Sequence, residues 1–179
     1  MRHVLSLTAI FAALLVPQLA AGASAKGKLP ENRVITPGVG VGVVQLGDPM
    51  AEASAAWGVA PFCFDTGNGA GEGCVWDSIV KRLAMGPFVS VTTGQSGRIT
   101  LIAVAKPGWK TKQGIGVGST RAQTLAAYKG WPRVAKGVAI EEIQLRHGTD
   151  LKGNPRTVTQ FHFSNGRVSM ISLLVWANE

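Results

Sequence analysis

The residues that could do chemistry are few. The two cysteines, Cys63 and Cys74, enclose a loop containing Gly67, Gly69, Gly71 and Gly73. That loop can bend, so the pair predicts a disulfide, with ~2–3 kcal/mol gained by limiting the unfolded chain. Two cysteines with no nearby histidine make a poor zinc set, and the spacing is not C-x-x-C. Ser78-Ile79-Val80-Lys81 has the S-x-x-K spacing of a lysine-activated serine, but the surrounding pattern is strand-like and no S-D-N or K-T-G accompanies it. His147 and Asp150 are the residue types of an acid–base pair; three residues apart in a turn, they read as a solvated loop. His162 falls on the polar side of its strand as a surface residue with no obvious Ser or Cys partner.

Carboxylates are scarce. Glu141 and Glu142 are adjacent, so on a strand they face opposite ways and cannot flank one glycosidic bond. Asp65, Glu72 and Asp77 can approach one another near the cysteine loop, the arrangement of a solvated acidic turn more than of a cation site. Gly38-Val39-Gly40-Val41-Gly42 does not complete G-x-G-x-x-G, and Gly114 to Thr120 lacks the lysine of a phosphate loop. No catalytic, cofactor-binding or metal-ligating residue follows from these patterns, and no cofactor. Trp109 and Trp131 are different. They sit in or beside loops next to Lys110, Lys112, Arg133 and Lys136. A loop aromatic among cations is a favoured type of contact with a partner.

These residues need elements to hold them. Asp48 is a natural N-cap with Pro49 in the first helical position, predicting a helix to Trp57 that stops at Gly58. Ser119 or Thr120 caps a second helix ending near Lys129-Gly130, and Thr120 with Gln123 fits a capping box. Both are alanine-rich, with Met50 and Trp57, then Leu125 and Tyr128, on one narrow apolar side. Trp57, Trp76 and Trp176 are expected in the core. Cys74–Trp76, Lys81–Ala84, Phe88–Thr93, Ile99–Ala105, Ala139–Leu145, Arg156–Phe163 and Val168–Trp176 read as strands. Gly94–Gly97 and Ser164–Gly166 read as hairpin turns.

The stretch Val44–Gly58 returns in altered form as Ile115–Gly130, 71 residues later, and Thr92–Ile99 answers to Phe163–Val168. The expected fold class is therefore α+β, with two tandem repeats, each a short helix followed by an antiparallel three- to four-stranded meander. The division is 1–25 signal peptide, 26–40 tail, 41–105 first repeat, 106–113 connector and 114–179 second repeat. Leu46-Gly47 with Ala53, and Val117-Gly118-Ser119-Thr120 with Thr124, each followed by Trp or Tyr and Gly, resemble the start of the repeat in the β-lactamase inhibitor protein family. They also resemble the single unit of the small outer-membrane β-barrel-assembly lipoproteins. The resemblance implies a short helix ahead of an antiparallel sheet. It carries over no functional residue, and no cysteine stands at the cleavage site as the lipoproteins have.

Residues 1–25 have the form of a signal peptide: Arg2 and His3, an apolar run from Val4 to Leu19, and Ala23-Ser24-Ala25 for cleavage, with Ala21-Gly22-Ala23 as second choice. The expected location is secreted or periplasmic, with no membrane span after cleavage. The formal net charge is +8. Residues 26–105 balance six basic side chains with six acidic, whereas residues 106–179 carry eleven basic and four acidic. Such a basic half draws acidic partners by its field. The expected function is that of an exported non-enzymatic binding or inhibitor-like protein recognising an acidic protein or anionic envelope polymer through the basic second repeat, with no nucleic acid. A cell-envelope hydrolase and an envelope scaffold are the alternatives.

Overall fold

A computed structural model describes residue 29 and residues 32–60, 62–67, 71–76, 87–131, 142–149 and 155–176. Among the described residues two helices, α1 (Met50–Trp57) and α2 (Arg121–Ala127), are set among strands β1 (Val34–Thr36), β2 (Gly40–Val41), β3 (Val44–Gln45), β4 (Phe62–Asp65), β5 (Glu72–Trp76), β6 (Val89–Thr93), β7 (Ile99–Val104), β8 (Lys110–Thr111), β9 (Glu142–Thr149), β10 (Pro155–Ser164) and β11 (Arg167–Val175). The strands form a seven-stranded antiparallel sheet in the order β4-β5-β6-β7-β11-β10-β9 and a small sheet in the order β3-β2-β1-β8.

This corrects the expected α+β class with two helix-then-meander repeats: the protein is mainly β. The helices have eight and seven residues, and their alanines bury too little apolar surface to form a layer. The Gly-Val stretch at residues 38–44 folds back through Gly42 (φ 63°) into the paired strands β2 and β3. The segment expected to connect the repeats supplies β8, which pairs in parallel with β1. At the centre, Ile171 of β11 lies opposite Val104 of β7, so the two halves share one continuous sheet. β4, which the sequence did not announce, is an edge strand with all four residues exposed.

Period-two patterning explains the large sheet. Trp76, Val89, Val104, Ile171, Phe161 and Ile143 lie in one row across it, and all are buried. They pack with Trp57 of α1, Tyr128 after α2, and Ile35, Val41 and Val44 of the small sheet in a single core cluster. Trp57 meets Trp76 edge-on at 5.3 Å between centroids and Trp109 at 6.5 Å. The Trp76 indole donates to Gly58 O (2.9 Å). Trp176, expected inside, is instead 36 % exposed at the end of β11. Thr120 forms the expected capping box with Gln123. Asp48 does not cap α1. Its carboxylate accepts from Gln45 N (2.8 Å), and Pro49 occupies the cap position with no side-chain bond. Among the described residues no helix is long and apolar enough to cross a membrane.

Candidate functional site

The six residues expected to contact a partner divide into four outcomes. Trp109 is fully buried, wedged beside Trp57, and is therefore not a surface aromatic. The reason is its place just before β8: the alternation that exposes Lys110 turns Trp109 and Thr111 inward. Trp131 is half-buried, edge-on to Tyr128 (5.2 Å) and to His147 (5.5 Å). Lys110 and Lys112 are exposed as expected. Arg133 and Lys136 lie outside the described residues, as do Ser78–Lys81, Asp77, Glu141 and Asp150.

Lys110 acquires neighbours that sequence distance conceals. The parallel β1–β8 pairing lays Val34 against Lys110, and Lys110 N donates to Arg33 O (3.1 Å). The Arg33 guanidinium lies over Gly108, where an added Cβ would sit 3.2 Å from Nη1. Lys106 is close by. Partial burial pushes its ammonium below the usual lysine range, and the positive charge of Arg33 adds to that push. The stem of Lys110 lies over Gly116, which bridges back to it. Arg33 and Lys106 thus lie near each other, and the backbone of the exposed Lys110 is bonded beside Arg33. A groove of about 510 Å³ is lined by Pro87, Phe88, Ala105, Pro107, Val117, Ser169 and Met170, with no charged side chain among them.

The cysteines are joined as expected, Cys63 to Cys74 across β4 and β5, where they lie directly opposite each other. Glu72 is near both sulfurs, but disulfide sulfurs are not thiolate ligands. Among the described residues no other group of three or more His, Cys, Asp or Glu has metal-site geometry. The disulfide belongs to an oxidising compartment and supports an exported protein.

No protein-family model matches the chain, and no curated protein matches it. Among solved structures it is similar to an extracellular protein containing an SCP domain from Bacillus anthracis str. Ames. The TM-score is 0.47 and the identity 12 %, over 73 % of this chain and 44 % of that one. The chain thus spans less than half the length of that structure.

The residues that sequence reasoning missed lie on the outer side of the large sheet. His162 Nδ1 is 2.9 Å from Glu142 Oε1, and its Nε2 is 3.2 Å from Ser172 Oγ. Gln144 donates to Glu142 Oε2 (3.3 Å). This Ser–His–Glu order resembles that of a nucleophile, a base and its orienting acid. Two facts limit it. Ser172 is only 4 % exposed. It also lies mid-strand between Gln160 and Ala103, so its backbone polar groups face neighbouring strands rather than a developing oxyanion. The relay was hidden by a bulge between His162 and Phe163: Phe163 opposes Val168 whereas His162 opposes Met170. A regular hairpin from Asn165-Gly166 would put Ser172 on the other side of the sheet, away from His162.

His147, expected in a solvated loop, is instead half-buried on β9. Its Nε2 is 3.0 Å from Thr159 Oγ1, which also accepts from Gly38 N (2.8 Å). A Cβ at Gly38 would collide with the His147 ring. Burial pushes the pKa of His147 down.

Proposed function

We propose that this is an exported binding protein that recognises an acidic macromolecular partner by charge and shape, without chemistry. The observation that carries this reading is that the β1–β8 pairing brings the exposed Arg33 beside the strand that carries the exposed Lys110 and Lys112, with Lys106 near Arg33. Concentrated like charge raises encounter rates with an oppositely charged surface. An acidic protein or an anionic polymer of the cell envelope fits that requirement. The contact surface is corrected accordingly: Trp109 is withdrawn from it, and Arg33 and Lys106 join.

The test is the association rate with immobilised poly-L-glutamate. It should fall steeply between roughly 0.05 and 0.5 M salt, because screening shortens from over 10 Å to a few ångströms. Replacing Lys110 and Lys112 with Ser should slow capture at low salt. A rate indifferent to salt and to both substitutions would overturn the proposal.

The Ser172–His162–Glu142 relay favours a second reading, a cell-envelope hydrolase. Covalent labelling of Ser172 by a fluorophosphonate would establish it. Intact protein with no mass shift after prolonged exposure would leave the relay as a hydrogen-bond network that satisfies a nearly buried hydroxyl and a half-buried imidazole.

A further inference from the structure

The large sheet ends at β4, and among the described residues no strand lies beyond it. The direction of its backbone groups follows from two bonds. Thr66 N donates to Gly71 O (3.0 Å), while Glu72 N turns the other way to Thr93 Oγ1 (2.9 Å). Bonding alternates along an antiparallel pair. Phe62 and Phe64 therefore bond β5, and the N–H and C=O groups of Cys63 and Asp65 point outward. Such a row is the template for one more strand.

The side chains define what that strand must carry. Phe62 lies in the row of Val75, Ser90, Ala103 and Ser172, on the outer side of the sheet. Phe64 is two residues on, and the two rings stack at 5.8 Å while remaining 47 % and 44 % exposed. A Cβ at Gly73 would collide with the Phe64 ring, so the ring lies over β5 and leaves the edge clear. On the opposite side Asp65 stands directly across from Glu72, and both are exposed. Gly67 N engages one Asp65 oxygen (2.8 Å). Like charges placed opposite each other repel, and the neighbouring Cys63–Cys74 disulfide holds these two in place. Residues 34–80 contain five acidic side chains and no lysine or arginine, so this stretch supplies no counter-charge. A second copy is a poor occupant: β4 paired with itself about Phe64 would gather two Asp65–Glu72 pairs.

We propose that the outer edge of β4 binds an extended segment of a partner protein in which basic and apolar residues alternate. Basic residues bond the backbone of Cys63 and Asp65 and set their cations beside Asp65 and Glu72. The apolar residues between them lie on Phe62 and Phe64. Main-chain bonds hold the segment, and the alternating side chains select it. This surface shares no residue with the one proposed for the acidic partner, and it takes the opposite charge.

The experiment titrates the full-length processed protein with a heptapeptide of alternating lysine and valine and follows amide hydrogen exchange residue by residue. Without peptide, the Cys63 and Asp65 amides should exchange fast and the Phe64 amide slowly. With peptide, Cys63 and Asp65 should become protected. A glutamate–valine peptide should bind about tenfold or more weakly. N-methylation of the central lysine should abolish binding, whereas N-methylation of a central valine, whose N–H faces away from β4, should leave it intact. Asp65→Asn keeps an acceptor for Gly67 N and should weaken the lysine–valine peptide about two- to fivefold. Phe62→Ser should weaken it about fivefold or more. Binding that leaves the Cys63 and Asp65 amides unprotected would overturn the proposal. So would equal tolerance of the two N-methyl groups, or equal affinity for the glutamate peptide. Protection of these amides that rises with protein concentration alone would overturn it too, by making a second copy the occupant. Lys112→Ser separates the two proposals, since it should slow polyglutamate capture and leave affinity for the lysine–valine peptide unchanged.

Discussion

Two corners of the molecule are built alike and finished differently. In the first, Gly47 N donates to Ile99 O and Ile99 N to Asp48 O, while Arg98 reaches the carbonyl of Gly47 (2.9 Å). In the second, Gly118 N donates to Val168 O and Val168 N to Ser119 O, while Arg167 reaches the carbonyl of Gly118 (3.0 Å). Gly47 and Gly118 share φ angles of 91° and 93°. The Asp48 carboxylate receives Gln45 N as the Ser119 hydroxyl receives Gly116 N. Beyond that point they part. α1 begins at a proline with no side-chain cap and delivers Trp57 into a cluster of three indoles. α2 begins with a full capping box and delivers Tyr128, which lies tilted against Phe161 (5.2 Å between centroids) and bonds Gln113 through its hydroxyl (3.3 Å). Tertiary burial anchors both helices, through Trp57 and Tyr128, and local hydrogen bonding is added at the start of the second alone. Likeness of sequence at these corners therefore reports a shared way of pinning a helix start to a hairpin, and it does not extend to the architecture around them.

The largest expected effect tests the anchor. Trp57→Ala should cost ~3–5 kcal/mol by denaturant unfolding. Tyr128→Phe, which removes only the hydroxyl, should cost ~0.5–1.5 kcal/mol; equal losses would break the contrast. Next comes the covalent staple, which among the described residues belongs to the first corner's strands alone. Reducing Cys63–Cys74, eleven residues apart, should cost ~2–3 kcal/mol and lower the melting temperature. Two titratable thiols in the native protein would refute the bridge. Thr120→Ala should cost about 1 kcal/mol, whereas Pro49→Ala should cost less than about half of that, since no cap is lost. Similar values at both positions would show that the capping difference has no energetic weight.

The smallest effect concerns pH. Burial holds His147 below its ordinary 6.5, so the fold prefers the neutral ring. The stability it contributes is present above the unfolded value and is lost as pH falls from about 6.5 toward the depressed folded value. Unfolding free energies between pH 8 and 5 should slope downward in the wild type. They should flatten in His147→Gln, and identical slopes would remove His147 as the source.

Legibility followed the range of the interaction. The capping box, the two hairpin turns, the disulfide and most strands depend on neighbours a few residues away, and the sequence displays them. What it hides depends on pairing across the chain. The β1–β8 ladder brings Arg33 to Lys110 only because Val34 and Lys110 share a register. The relay on the outer side of the sheet needs one surplus residue, Ser169, to bring Ser172 round to His162. Trp109 was misjudged because a two-residue strand gives too little alternation to show which way it points. Short apolar pieces such as Gly40–Val41 likewise become strands only when a partner is found for them.

The joint between β7 and β11 sets a timetable. A protein threaded out of the cytoplasm N-terminus first would release β1 long before β8, and β7 long before Ile171–Leu174. Each early strand must wait with an open edge until its late partner emerges. Maturation outside the cytoplasm would then be governed by the arrival of the final segment, and truncating the chain before residue 171 should leave both β7 and the unfinished core exposed to proteases and to aggregation.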